Sequence, residues 1–527
     1  MVRVRRSDVI AGVAVLLIAV PLRAQRTDWP LSDRTVVGDG SLVLAVTAAV
    51  DRVMVCTPTG VLLLDPISRQ WNGPYLTPDP GLLSTARAAL LDPLDQSLWV
   101  QLAGGWVHFE PTIELWESGV APGPVSQIAF DGDNPAAGLF LLVGASWYQL
   151  PRGTVFPVPA SPPKRPIRPL SIPELMNQAT GLAGMTGGAL TDQRGRPARF
   201  TSAATDPAGR GWWIGTAGVG LVFLAFGQAM PERVSFGLPS PAAAAVYAVP
   251  GGVWVATDQS TGAFPALIRL SSDLGTVHWN EGPMATGLPF HYVTRLTGAD
   301  RSLWLGTDAG LLKISGDGRA VDRFDESRGL PDARVLTVLA RRGRILAGTM
   351  HGLVAIDDTG KVTRLAPTFG DRIDGLEMLG DTILVGTDQG PLVFNPATGQ
   401  LEWPNGLDRA PAYRSPVLAM ARLEDTLVAL TTERLEWRDP DSGTWTLGPL
   451  LESALGRLRT MIAGQNGVFV AGDRAVAFVH LDALPARPLT VPIEIPAAPR
   501  DLALDDTFLW VATNQGVVRW RLDAIAP

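Results

Sequence analysis

The chain has 527 residues, 46% hydrophobic and 18% charged, with 56 glycines and 44 prolines. This core-forming composition, rich in turn residues, excludes a disordered chain and suits an all-β protein. Its net charge is −7, its only lysines are Lys164, Lys313 and Lys361, and basic residues cluster only in short pairs such as Arg341-Arg342. Nucleic acid is therefore excluded as a partner.

In chain order, the first element is a targeting segment. Arg3, Arg5 and Arg6 precede an apolar run from Val9 to Leu22, which is short for a membrane span and suited to a signal peptide. Residues 1–24 are read as that signal, with cleavage after Ala24; an uncleaved N-terminal anchor is the alternative. Arg5-Arg6 also fits a twin-arginine signal, but Asp8 stands where an apolar residue is preferred. The expected localisation is exported, periplasmic or secreted. Cys56 is the single cysteine, so no internal disulfide can form, and its place in an apolar strand marks it as a buried thiol.

The segment Trp29–Val37 precedes the first apolar strand. Beyond it, one pattern recurs: an apolar strand, a Thr-x-x-Gly turn, then an alternating strand. It is clearest in LWLGTDAGLLKI (Leu303–Ile314), ILAGTMHGLVAI (Ile345–Ile356) and ILVGTDQGPLVF (Ile383–Phe394). Anchors fall at Thr57, Thr216, Thr257, Thr307, Thr349, Thr387, Thr431, Gly472 and Thr513. Decayed copies lie at Leu98–Glu110 and Leu139–Leu150, giving eleven in all. From Thr216 onward the spacings are 41, 50, 42, 38, 44, 41 and 41 residues. A period near 40 with four strand signals per copy predicts a radial array of four-stranded sheets.

Within the copy that begins at Gly329, strands are expected at 335–340, 345–349, 353–356 and 362–365, inner strands apolar and the outer one polar. Gly310, Gly352, Gly390 and Gly516 should supply positive φ at the turns. The tryptophans before the turns (Trp99, Trp213, Trp254, Trp304 and Trp510) are sized to fill the wedges between sheets.

These residues resemble a known repeat. GLP-x-x-x-V followed by LWLGTDAGLLKI, and GLPDARVLTVL followed by ILAGTMHGLVAID, are similar to the two-component-regulator propeller repeat. The similarity is good over most of residues 199–523 and loose over 51–150. It implies a β-propeller. It also implies kinship with the extracytoplasmic, carbohydrate-recognising sensor regions of hybrid histidine kinases. Because no kinase segment follows, a stand-alone exported member is expected.

Eleven copies exceed an ordinary ring of about four to eight blades, so either two rings or one unusually large ring is expected. The last copy lacks a fourth strand, and Trp29–Val37 should supply it. The expected division is blades 1–3 over 25–150, a Pro-rich crossing segment or insertion over 151–198, with a short helix near Ile172–Thr180, and blades 4–11 over 199–527.

No catalytic motif emerges. His108, His278, His291, His351 and His480 do not fall in metal-ligand spacing, and there is no HExxH, EF-hand loop, G-x-S-x-G elbow or P-loop. No metal or cofactor is expected. DPDSGTW (Asp439–Trp445) resembles the Asp-box of sialidase propellers but lacks its spacing, and it reads, like NPATGQLEW, as a turn. Asp258, Asp308, Asp388 and Asp473 also read as turn residues. The candidate binding face carries the loops that enter the inner strands: His291 and Tyr292, Asp332 and Arg334, Asp408 and Arg409, Tyr413 and Arg414. Aromatic and Arg side chains on a concave surface suit protein or sugar. The expected function is a non-catalytic extracytoplasmic scaffold or ligand-sensing subunit of an envelope complex, with an envelope protein, free or membrane-associated, as the expected partner and a carbohydrate as the candidate ligand. The alternatives are an extracytoplasmic glycan lyase or hydrolase and a secreted carbohydrate-binding module.

Overall fold

The computed structural model describes residues 33–79, 81–179, 190–191, 197–228, 230–234, 236–240, 242–259, 265–271, 277–279, 290–299, 302–316, 321–341, 343–365, 371–402, 415–438, 444–481, 490–493 and 497–525. The signal segment lies outside them. Among the described residues no helix is long and apolar enough to cross a membrane.

The described residues form eleven small antiparallel sheets, one for each copy read in the sequence. In chain order they are sheet 1 (45–76), sheet 2 (86–120), sheet 3 (125–167), sheet 4 (199–234), sheet 5 (243–279), sheet 6 (293–324), sheet 7 (335–365), sheet 8 (373–402), sheet 9 (417–450), sheet 10 (458–493) and sheet 11 (499–521). In sheet 7 the strands are Val335–Arg341, Arg344–Thr349, Gly352–Asp357 and Val362–Leu365, within a residue or so of the expected bounds. The outer strand alone has exposed residues at its centre, because only it meets water on both faces.

The fourth strand of sheet 11 comes from the other end of the chain. Arg34–Val37 pairs antiparallel with Gly516–Arg521, matching Arg34 with Trp520 and Val37 with Val517. Arg519 Nη2 donates to Thr35 Oγ1 at 3.2 Å, and the Arg34 guanidinium lies 5.5 Å from the Trp520 ring centre. Val36 and Val37 point to opposite faces. Val36 packs in the core shared with sheet 10, and Val37 in the core shared with sheet 5.

Contacts between first strands run from sheet 5 through sheets 6, 7, 8, 9 and 10 to sheet 11, and sheet 11 returns to sheet 5. Seven sheets thus form a closed cycle. The other four are contiguous in the order 3, 2, 1, 4. Sheet 4, whose sequence groups it with the later copies, therefore packs against sheet 1. Its Trp213 sits among Val46, Val53 and Leu62 of that sheet. All five tryptophans of the pattern bridge neighbours in this way: Trp99 to sheet 3, Trp254 to sheet 6, Trp304 to sheet 7 and Trp510 to sheet 5.

The chain passes between the two groups twice, side by side. Asp39 and Leu238 form a parallel bridge, Gly40 N–H donates to Leu238 O at 3.0 Å, and Leu238 N–H donates to Gly38 O at 2.9 Å. The approach is close: a Cβ on Gly40 would lie 1.4 Å from Phe236 O.

The Pro-rich stretch is no free crossing. Val158–Ala160 is the outermost strand of sheet 3, and Pro166–Ile167 adds a fifth strand on its innermost edge. Edge positions suit proline, which has no N–H to offer a further neighbour. Asp131 fastens the turn into the added strand by accepting from Lys164 and Arg165 N–H. These bonds hold its carboxyl below the usual carboxylate range, the one from Lys164 contributing most. The helix Ile172–Gln178 follows, with a capping box between Ser171 and Glu174, and packs on sheet 4 through Leu175.

Candidate binding face and axial channel

Each repeat builds its rim from the Thr of the turn. Thr307 is fully buried, donates from Oγ1 to Gly310 O at 2.7 Å and accepts from Ala309 N–H at 3.1 Å. Thr349, Thr387 and Thr513 repeat both bonds. Gly310 follows at φ 125°, where a Cβ would meet Phe324 O at 2.3 Å; Gly352, Gly390 and Gly516 share the positive φ. The hydroxyl thus stands in for a backbone partner inside the hairpin, and the glycine lets the third strand approach the fourth.

The residue after the Thr ties the hairpin to the loop that enters the inner strand. Asp308 Oδ1 accepts from His291 and Tyr292 N–H at 2.9 and 3.1 Å, while its own N–H donates to Tyr292 O. Asp473 does the same with Arg457, and Asn514 with Ala498. These side chains are structural fasteners, as their turn positions suggested. Asp258 is buried and joins sheets 5 and 11 by accepting from Arg500 Nη2 at 2.8 Å. Asn395 accepts from Ala397 N–H, so NPATGQLEW is also a turn.

Of the candidate binding residues, His291 and Tyr292 stand on the rim of sheet 6, and Asp332 and Arg334 on the rim of adjoining sheet 7. Tyr292 is 53% exposed. His291 lies over Asp308, its Nδ1 3.4 Å from Oδ2. Asp332 is engaged within its own rim, accepting from Arg334 N–H at 2.7 Å and paired with His351 Nδ1 at 2.8 Å. The imidazole of His351 and the Arg334 side chain remain exposed. Asp408, Arg409, Tyr413 and Arg414 lie outside the described residues, as do residues 439–443 of DPDSGTW. Among the described residues no three His, Cys, Asp or Glu side chains gather in a metal-binding group. Cys56 is fully buried, and desolvation pushes its thiol up to about 12.

Sequence reasoning missed the axis. In ten sheets the inner strand carries a bulge after its first paired residue, as between Val293 and Arg295. Two of the extra residues reach towards the neighbouring sheet: Thr294 Oγ1 donates to Val335 O of sheet 7, and Thr201 Oγ1 to Val43 O just ahead of sheet 1. The next residue occupies one equivalent level in the seven-sheet cycle: Ala245, Arg295, Thr337, Gly375, Ala419, Thr460 and Asp501.

At that level Arg295 of sheet 6 crosses the axis. Its Nη1 donates to Asp501 Oδ1 of sheet 11 at 2.9 Å and to Thr460 Oγ1 of sheet 10 at 3.3 Å. Small residues at 245, 375 and 419 leave it room. Asp501 also accepts from Val246 N–H at 3.1 Å, and burial pushes its carboxyl above the ordinary value despite Arg295. A cavity of about 370 Å³ is lined by the inner strands of all seven sheets and by Arg295, Glu377, Arg422 and Asp501. The signal that could have revealed it is a charge inside an otherwise apolar inner strand: VTRLTGA, IDGLEML and PRDLAL.

No family model matches the sequence, and neither does any curated protein. Several solved structures are similar to it. One is the extracellular domain of the putative one component system BT4673 from B. thetaiotaomicron, at 11% identity over 91% of this chain and 69% of that one, with a TM-score of 0.45. Another is PorZ, a surface component of the type-IX secretion system of Porphyromonas gingivalis, at 13% identity over 91% and 68%, with a TM-score of 0.45. A third is virginiamycin B lyase from Staphylococcus aureus, at 14% identity over 53% and 94%, with a TM-score of 0.44.

Proposed function

We propose that this protein is a non-catalytic, extracytoplasmic β-propeller that serves as a protein-interaction scaffold in an envelope complex. In this reading the seven-sheet cycle is the main ring, sheets 1–4 are a second unit inserted after the latch strand, and residues 1–24 direct export. The observation that carries it is the rim of sheets 6 and 7. There Tyr292, His291, His351 and Arg334 present exposed aromatic and cationic groups, while Asp308 and Asp332 are occupied in holding the loops rigid. Exposed Tyr and Arg on a pre-organised support are the side chains that contribute most at protein interfaces.

The test is cross-linking of the tagged protein in intact envelopes, comparing the parent with the double variant Tyr292→Ala, Arg334→Ala. Loss of a specific cross-linked protein in the variant, with an unchanged melting temperature, supports the scaffold. An unchanged cross-linking pattern overturns the assignment of this rim. Turnover of a glycan by the purified protein would replace the reading with the lyase or hydrolase.

A further inference from the structure

Two charged groups at the axis are incompletely satisfied, and both face the same cavity. Arg295 spends only Nη1 on Asp501 and Thr460; among the described residues Nε and Nη2 have no hydrogen-bond partner. Its side chain is 29% exposed, so the free edge is not sealed in the core. Glu377 lies two residues further along the inner strand of sheet 8 than the level of Arg295. Its Oε1 accepts from Met378 N–H at 2.9 Å, and among the described residues Oε2 accepts nothing. Arg422 of adjoining sheet 9 also lines the cavity, but it is turned away: Nε donates to Glu424 O at 2.8 Å and Nη2 to Asp425 at 3.2 Å. Arg422 offers Glu377 only a distant positive field, and burial still holds the Glu377 carboxyl above its ordinary value.

A partly buried charged group with hydrogen-bonding atoms left unused is normally met there by water, an ion or a ligand. Here a cation-seeking carboxylate and an anion-seeking guanidinium edge line one space, with Leu339, Leu376, Met420 and Ile462 among the other lining residues. The cavity volume is within the range of roughly 300–1,000 Å³ usual for small-molecule sites. We propose that the axial channel binds a small zwitterion, an amino acid or short peptide. Its carboxylate takes the free edge of Arg295 and its ammonium takes Glu377 Oε2, with its side chain left in the channel. The planar guanidinium, already fixed by Asp501, presents the geometry that a carboxylate meets with two parallel hydrogen bonds. The site goes beyond the rim reading, since neither charged group belongs to the rim.

The experiment is calorimetric titration of the purified full chain with L-leucine, the dipeptide Ala-Leu, and two matched probes: isopentylamine, which lacks the carboxylate, and 4-methylpentanoate, which lacks the amine. Binding of leucine or the dipeptide at least about tenfold tighter than either probe is the expected result, one lost charge-assisted bond being worth about that factor or more. Glu377→Gln should weaken zwitterion binding by about tenfold or more without lowering the melting temperature. Arg295→Lys keeps a cation beside Asp501 and should cost a similar factor, since the second donor edge is gone. No binding of either zwitterion at millimolar concentration overturns the proposal. So does affinity equal to that of the single-charge probes, or binding that survives Glu377→Gln. The titration uses no envelope partner, so its failure leaves the scaffold reading standing.

Discussion

A single buried hydroxyl carries the repeat. The buried Thr307 Oγ1 closes two hydrogen bonds inside a hairpin, and equivalent threonines do the same in other sheets. Replacing it with Val keeps the shape and removes both bonds, so that Gly310 O loses one of its donors and the half-buried Ala309 N–H loses its acceptor. A loss of about 1–3 kcal/mol is expected, read as a lower denaturant midpoint with an unchanged slope. A variant as stable as the parent would mean that the hairpin finds other partners. The positive-φ glycines and the turn role of Asp308 were readable because turn chemistry is local. The role of the Thr was not, since a buried Thr in a strand is equally well explained by β-propensity. The axial charges were missed for a related reason. Arg295, Glu377 and Asp501 are each one polar residue in an apolar strand, and only the cycle of sheets brings them together.

At the scale of the element, the latch strand ties the chain's two ends. Without Arg34–Val37 the strand Gly516–Arg521 becomes an open edge, the exposed backbone row that sheet proteins avoid. Val36 and Val37 each contribute a buried side chain, worth roughly 1.5–3 kcal/mol apiece. Together that is a large part of the 5–15 kcal/mol on which a typical domain rests. Deletion of residues 26–38 should therefore lower the melting temperature by about 10 °C or more and make the protein prone to aggregate; an unchanged melting point would remove the latch from the account. The need for this strand was visible in the sequence, because the last copy ends one strand short. The fate of the Pro-rich stretch was not visible. Proline marks a segment that cannot sit mid-sheet, and a linker and an edge strand meet that condition equally. Pairing with Trp147–Gln149 and Phe130–Asp131 decided for the edge.

At the scale of the whole molecule, repeat quality misled about neighbourhood. Sheet 4 has a clean WWIGTAGVG turn like the later copies, yet Trp213 packs on sheet 1, because which sheets adjoin is set by where the chain crosses between the two groups. That crossing is a narrow double strand, and the cores divide on either side of it. Phe236 belongs to the core of sheets 1 and 4, while Leu238, two residues on, belongs to that of sheets 5 and 11. Since Gly40 N and Leu238 O are 3.0 Å apart, the ends left by removing residues 41–236 already meet. A chain in which a linker of about four Gly and Ser residues joins Gly40 to Gly237 should fold as the seven-sheet cycle alone. The main contact forfeited is that of Leu76 of sheet 1 against the core of sheets 10 and 11 beside the latch, so the loss in stability should be modest, on the order of 1–3 kcal/mol. The expected result is a soluble monomer with a β-type circular dichroism spectrum and one cooperative unfolding transition. An insoluble or non-cooperative product would show that sheets 1–4 are a support on which the cycle depends rather than an insertion it tolerates.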